Sequence, residues 1–151
     1  MLNVRPVANA IEWSHAKTIR TVVFIEEQAC PPEEEWDGYD ETSRHLLGWA
    51  EDTPAATARW RTVRYHDQPV AKLERFAILP AFRGRGYGRA LVSATLADAK
   101  QAGFNTFVLN AQAHLEAFYA SFGFHPVGDP FMEAGIPHIK MVKGDAAVPR
   151  G

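Results

Sequence analysis

Two hydrophobic periods alternate along this chain. Leu2 to Val7 alternates apolar and polar positions and reads as a short strand. Asn9 and Glu12 then stand at a capping-box spacing, and Ile11, Ile19, Val22 and Val23 supply a helical face. A helix of about 15 residues is predicted, ending near Glu26 to Ala29 because Pro31 and Pro32 forbid its continuation. The segment from there to Glu41 reads as a loop outside the core. Three runs rich in Leu, Trp, Val and Phe follow, at Arg44 to Ala50, Ala55 to Tyr65 and Pro69 to Leu79. Asp52-Thr53-Pro54 and His66-Asp67-Gln68-Pro69 separate them, which predicts hairpin turns between antiparallel strands.

Helical spacing returns with Tyr87, Ala90, Leu91, Ala94 and Ala97 and runs to Lys100, with Gly103 as the stop. Phe104 to Leu109 is short enough for a buried strand. Crossovers of this strand–helix–strand kind are nearly always right-handed, so the 73–79 and 104–109 strands should lie side by side and parallel. A second helix at Ala113 to Ser121, stopped by Gly123, and strands at Phe124 to Val127 and His138 to Val142 complete a mixed sheet. The fold class is α/β (α+β), one domain over residues 1–143, and residues 144–151 read as a short, frayed polar tail.

Between the last meander strand and the long helix lies the stretch with the most chemical content. Leu73, Phe76, Ile78 and Leu79 form an apolar run that Pro80 ends, and Arg83, Gly84, Arg85, Gly86 and Gly88 lead into the helix. Free N–H groups and the positive end of a helix dipole favour an anion there, glycines allow close backbone approach, and two arginines add mobile positive charge. The Walker pattern is absent, and Gly84, Gly86 and Gly88 are spaced two apart, which fails the dinucleotide pattern G-x-G-x-x-G.

Composition narrows the class. A chain of 151 residues with 46% hydrophobic content suits one domain that can enclose a core and a cleft. No apolar run would span a bilayer and no secretion signal opens the chain, so a cytoplasmic protein with no membrane partner is expected. Cys30 is the single cysteine, which excludes an intrachain disulfide, and its flanking prolines favour an inert thiol. Net charge is −2, the wrong sign for a general nucleic-acid binder. Eight of the 18 acids fall between Glu26 and Glu41, whereas Arg59, Arg61, Arg64, Lys72, Arg75, Arg83, Arg85 and Arg89 lie elsewhere, so two opposed surfaces are expected.

Arg83-x-x-Gly86-x-Gly88, after an apolar strand ending near a proline, resembles the pyrophosphate loop of the GNAT acetyltransferase superfamily, R/Q-x-x-G-x-G/A. The order of elements is similar to the GNAT fold up to about residue 143. Val23 to Gln28, Asp37 to Asp40, Leu109 to Gln112 and Ala134 to His138 look like segments of its ElaA-like (YjcF-like) branch. The resemblance implies a mixed, mainly antiparallel central sheet with helices on both faces and splayed central parallel strands. It implies acetyl-CoA as co-substrate, with the pyrophosphate on the backbone of Arg83, Gly84, Arg85, Gly86, Tyr87 and Gly88 and the pantetheine beside Phe76, Ala77 and Ile78. Asn110 would lie just past the second splayed strand, and Tyr119 would hold the position whose hydroxyl commonly reaches the coenzyme sulfur. Gln112 departs from the superfamily's Asn seven residues before that tyrosine, which puts a contact from there in doubt. No acceptor carries over, and the oligomeric state is open, a homodimer included.

The expected activity is N-acetyl transfer to a primary amine of a small molecule, polyamine or peptide lysine. The alternative is an acyl-CoA-binding or protein-interaction module that turns nothing over. Amine attack on a thioester needs a proton acceptor for the amine and benefits from a donor for the departing thiolate. Tyr119 is the candidate donor, against simple packing of its ring. Glu74, two residues before Phe76 and expected on the same strand face, and His138 are alternative bases; a strand ion pair of Glu74 with Arg75 or Arg59 is the competing explanation. A backbone N–H near Ile78 could hold the oxyanion. His45, His114 and His125 show no ligand spacing, so no metal is expected. The acids between Glu26 and Glu41 point to a cationic acceptor.

Overall fold

Tight turns set the register of the first half of the sheet. His66 and Asp67 both adopt left-handed backbone angles (φ 50° and 62°), the two-residue geometry whose twist suits a hairpin, and they join β3 (Thr53–Tyr65) to β4 (Gln68–Ile78). In the computed structural model, which describes residues 1–144, β1 (Leu2–Pro6), β2 (Arg44–Ala50), β3 and β4 pair antiparallel in sequence order. Beyond them come β5 (Phe107–Gln112), β6 (His125–Glu133) and β7 (Ile136–Lys143), giving one seven-stranded sheet in the order β1-β2-β3-β4-β5-β7-β6. Of the expected tail, residues 145–151 lie outside the described residues.

The capping spacing works with one change: the Asn9 side chain accepts from the Glu12 N–H at 2.9 Å, and the Glu12 carboxylate accepts from the N–H of Ala8, one residue before the cap, at 3.0 Å. It starts α1 (Ala10–Arg20), which widens into a π-helical segment over Thr21–Glu27 instead of remaining one α-helix. After α3 (Tyr87–Gln101) the next strand begins at Phe107, later than the apolar run suggested. Gly103 turns the chain at φ 105°, the Phe104 N–H bonds back to Ala99, and the Phe104 ring packs on Trp60, so these residues belong to the helix cap. The predicted 113–121 helix is a 3₁₀ turn followed by the short α4 (Glu116–Ala120). β6 runs further than predicted, to Glu133, because an irregular register between Val127 and Phe131 absorbs Gly128, Asp129 and Pro130.

Helices cover the two faces unequally. Val92, Leu96 and Ala99 of α3 and Tyr119 of α4 pack on Leu73, Phe107, Leu109, Ala111 and Met141. Ala16 and Ile19 of α1 and Val23 pack on Leu47 and Ala77 from the other side. On that second face α1 packs chiefly on β2, β3 and β4.

Two features of β4 decide the site. Thr57 pairs with Ala77 and Arg59 with Glu74, so one extra residue is accommodated in β4, with Arg75 at φ 59°. This bulge resets the side-chain alternation. Glu74 meets Arg59, Arg61 and Lys72, and Arg75 meets Glu35 and Asp37, all on the α1 side, whereas Phe76 joins the α3 core. The expectation that Glu74 and Phe76 share a face therefore fails. Second, β4 and β5 are parallel as expected, but they pair only at Ala71–Phe107 and Lys72–Val108 and then diverge.

The acidic segment is not a loop outside the core, nor do acids and bases form opposed surfaces. α2 (Pro32–Glu35) brings Glu35 to 2% exposure, where it pairs with Arg20 at 2.6 Å and Arg75 at 2.9 Å. Arg59, at 0% exposure, holds Asp37 at 2.8 Å, Asp40 at 2.9 Å and also Glu74. Arg20 shares Asp40 at 2.7 Å and stacks on Trp36. Desolvation pushes these carboxyls up, but hydrogen bonds and charge from Arg59 and its neighbours hold Asp37 far below the usual carboxylate range and lower Asp40 and Glu74 as well. At Glu35 desolvation prevails over Arg75 and Arg20, and the pKa is raised.

Removing one partner from a buried pair leaves the others uncompensated, at a cost of about 3–5 kcal/mol. Arg59→Met should lose stability of that order in urea melts at pH 7. Depressed carboxyl pKa values stabilise the fold above the unfolded values near 4 and that contribution is lost as pH falls through the folded ones. Without Arg59 the three carboxyls return toward ordinary values, so acid unfolding should begin at higher pH than in the parent. Parent-like melts at pH 7 and an unshifted acid midpoint would contradict this account of the network.

Candidate active site

The loop between β4 and α3 is built to receive an anion. Gly84 and Gly86 both sit at φ 78°, Gly86 as the residue preceding the helix, and a Cβ built on either would meet nothing within 4 Å. Left-handed angles favour glycine there, and the open space lies where a ligand would approach. The first bond into α3 runs from the Ala90 N–H to the Gly86 carbonyl, and among the described residues no N–H from Gly84 to Gly88 donates within the turn. These free donors at the positive end of a 15-residue helix form an anion cradle. Gly88 has a different reason: a Cβ there would touch Ile78 at 3.6 Å and Phe118 at 3.7 Å, ordinary contact that alanine would satisfy.

Of the two loop arginines, one departs from expectation. Arg83 is not mobile charge, because it forms a double ion pair with Glu27 at 2.6 and 2.7 Å and its Nε donates to the Ile78 carbonyl at 3.0 Å. It ties the loop to the π-helical segment. Arg85 remains exposed, with its guanidinium 5.5 Å from the Phe82 ring. Arg89 lies 4.8 Å from the Phe122 ring.

A cleft opens from this cradle along the divergence of β4 and β5. The Leu79 N–H bonds to the Ala55 carbonyl of β3 at 2.9 Å. Antiparallel ladders alternate, so the Ile78 N–H turns away from β3 into the gap. Phe76 and Ile78 line the α3 side, and Ala77 packs with Phe24 and Leu79 toward α1. Tyr119 reaches across from the β5 side to Phe76, ring centroids 6.1 Å apart. It is 7% exposed, and desolvation alone pushes its phenol up to about 12. Phe118 and Phe122 pack against one another at 5.3 Å, the core role expected of them.

Asn110 and Gln112 lie within β5, not beyond it, on the face opposite the α3 core; their partners on β7 are Lys140 and His138. His138 is buried, stacks on Phe131, and has Nδ1 2.7 Å from the Ile136 carbonyl. A carbonyl only accepts, so Nδ1 is the protonated nitrogen of this contact, and Nε2 lies 3.5 Å from Glu133 Oε2. Phe131, Glu133 and Lys140 had no signal in the linear sequence, since only the β6–β7 hairpin register brings them to this edge. Glu74 has Arg59, Arg61 and Lys72 around one carboxylate and faces away from Phe76. The Arg59 alternative for its partner is correct; Arg75 instead holds Glu35.

Other candidates stand apart. A hollow of about 380 Å³ lies between α1 and the start of β2, lined by Trp13, Asp40 and His45 among others, with no residue of the glycine loop. Cys30 is half-buried, and desolvation with the neighbouring Glu35 raises its thiol. Among the described residues no cluster of His, Cys, Asp and Glu is arranged to hold a metal, and no helix is long and apolar enough to cross a membrane.

A mixed sheet splayed beside a glycine loop at a helix N-terminus defines a scaffold for acyl-CoA chemistry. A family model described as an acetyltransferase (GNAT) domain matches residues 20–144, and the chain belongs to that family, whose members act with acyl-CoA as N-acetyltransferases. It is 41% identical over 128 residues to the Escherichia coli protein ElaA, covering 83% of this chain and 82% of that one. To the uncharacterized N-acetyltransferase YjcF of Bacillus subtilis it is 34% identical over 136 residues, covering 89% and 94%. The crystal structure of ElaA superposes with a TM-score of 0.82 over 95% of this chain and 99% of that one, at 34% identity. An acyl-CoA N-acyltransferase from Pseudomonas aeruginosa does so with a TM-score of 0.83 at 30% identity, over 95% and 99%.

Charge and shape in the loop can be tested separately. Gly86→Asn and Gly86→Asp impose similar left-handed strain, and only the second adds a carboxylate among the free N–H groups. Calorimetry should find acetyl-CoA binding weakened about tenfold further in Gly86→Asp than in Gly86→Asn, the order of a like-charge penalty in a preformed anion site. Equal affinities in the two folded variants would argue against pyrophosphate binding at this loop.

Proposed function

We propose that this acetyltransferase moves an acetyl group from acetyl-CoA to a primary amine by direct attack in a ternary complex. The observation that supports this most is the convergence at one cleft of the Ile78 N–H from β4 and the Tyr119 phenol from beyond β5, next to the anion cradle. The amine nitrogen bonds to the thioester carbon as the carbon–sulfur bond breaks, and the sulfur leaves as a thiolate. A fixed backbone N–H at Ile78 would stabilise the oxyanion without reorganisation.

Tyr119 would steady the departing sulfur. A thiol ionises near 8.5, well below a phenol raised to about 12, so full transfer of the Tyr119 proton to sulfur runs uphill. Its role is then a hydrogen bond to the thiolate. Of the two bases, His138 fits better than Glu74. With Nδ1 donating to the Ile136 carbonyl, Nε2 is the nitrogen that would accept the amine proton, and Glu133 stands beside it to stabilise the imidazolium then formed. Glu74 is already engaged by three cations that depress its basicity, and its place across the bulge from Phe76 suits a positioning role.

Tyr119→Phe keeps the ring and removes the hydroxyl, so kcat should fall roughly 10–100-fold with acetyl-CoA affinity nearly unchanged. Wild-type turnover would return Tyr119 to packing alone. A base must be deprotonated to act, which makes the rate rise with pH along the acidic limb. His138→Asn should flatten that limb and Glu74→Gln should retain it. A parent-like limb in His138→Asn would hand proton removal to water.

A further inference from the structure

The charges on the open face of the cleft point to an acceptor different from the one the acidic segment suggested. Four of the acids that motivated a cationic acceptor are committed within the protein: Glu27 to Arg83, Glu35 to Arg20 and Arg75, Asp37 to Arg59 and Arg75, and Asp40 to Arg20 and Arg59. Their charge is neutralised before an incoming amine would feel it. At the vertex where β4 and β5 part, the balance reverses. Among the described residues Glu74 is the one carboxylate paired with Arg61 and Lys72, and Arg59, already held by Asp37 and Asp40, shares it; the Lys72 ammonium is the furthest of the three at 3.5 Å. On β7, Lys140 makes no ion pair with any described residue; its ammonium rests 5.3 Å from the Tyr65 ring.

Register places Lys72 and Lys140 on one basin. Lys72 pairs with Val108 and Val108 with Val142, all on the face that Asn110 and Lys140 share. Two strand spacings across and two residues along separate the lysine Cα atoms by about 12 Å, within reach of two long side chains closing on one small group. Gln112 and His138 lie one row further along the same face, about 7 Å from Asn110 and Lys140, toward the reacting end of the cleft. Arg61 flanks the basin, held under the Tyr39 ring at 4.0 Å. The described acid on the His138 side, Glu133, is directed at that imidazole.

From this we infer that the acceptor amine carries an anionic group a few bonds from its nitrogen, received by Lys72 and Lys140, while the nitrogen faces the thioester beside His138. The inference rests on the transferase reading above and names its substrate class. With Arg61 and Lys72 sharing the single carboxylate of Glu74, and Lys140 without an ion pair among the described residues, the basin keeps an excess of positive charge that attracts a carboxylate or phosphate and repels a second cation. The anion also fixes the distance from floor to nucleophile, so recognition and positioning come from the same contact.

Amines matched in length test it: propylamine, β-alanine, 1,3-diaminopropane and phosphoethanolamine, assayed with acetyl-CoA by thiol release. kcat/KM for β-alanine or phosphoethanolamine should exceed that for propylamine by about tenfold or more, and the advantage should shrink with added salt. Whichever of the two anions is preferred identifies carboxylate or phosphate. Lys140→Glu and Lys72→Glu should each invert the ratio of anionic to neutral acceptor, with KM carrying most of the change. Propylamine or 1,3-diaminopropane equal to or better than both anionic amines would overturn the inference and leave the transferase reading standing. Acetyl-CoA bound with no thiol released by any amine would instead overturn the transferase reading, and this inference with it.

Discussion

The enclosed guanidinium of Arg59 is the constraint on which the rest of this molecule depends. It projects from β3, the third strand of the sheet, into a space that α1 and the acidic segment must close. A guanidinium taken wholly out of water is tolerated only with carboxylates around it. Asp37, Asp40 and Glu74 answer that requirement, and in doing so they draw the 37–40 turn onto the sheet and pin one flank of β4. Arg20 and Arg75 extend the network through Glu35. The segment that looked like solvent-facing acid thereby becomes the roof of the cleft.

The bulge at Arg75 turns this support into a site. One accommodated residue sends Glu74 and Arg75 together into the charged layer and returns Phe76 to the α3 core. Just before it β5 diverges, leaving a row of β4 backbone groups without a partner on that side. Backbone polar groups at such a gap need partners, and the extended amide-bearing arm of a coenzyme is chemically suited to supply them. The glycine cradle and the Arg83–Glu27 tie hold the far end of the same cleft, so loop, bulge and π-helical segment form one supported edge.

Electrostatically the cleft is layered. Paired arginines and acids form a nearly neutral roof, a phenol in an apolar pocket keeps its proton, and the floor carries Lys72 beside Glu74 and Lys140 with no ion pair among the described residues. Each layer suits a different part of a ternary complex: thiolate, amine and the acceptor's remaining charge. Long, flexible ammonium side chains with water nearby are inexpensive to leave unpaired, whereas buried guanidiniums are not, which is why the acids are found with the latter.

The sequence by itself determined the order of elements, the meander, the parallel crossover and the anion loop. Each of these rests on local rules: alternation, turn residues at 66–69, a proline that stops β4, and glycines before a helix. The family resemblance at Arg83, Gly86 and Gly88 was likewise carried by adjacent residues. Tertiary structure alone decided which acids meet which arginines, since Glu35 and Arg75, or Glu27 and Arg83, are brought together by chain crossing and not by spacing. It decided the facing of Glu74, because a single bulge inverts a period-two pattern without altering composition. It also placed His138, Lys140 and Phe131 at the cleft, through the register of the hairpin formed by β6 and β7, whose irregular segment hides the strand pattern. Charge read along the chain indicated a cationic partner; charge read after pairing is subtracted indicates the opposite, because only the fold determines which charges are already neutralised.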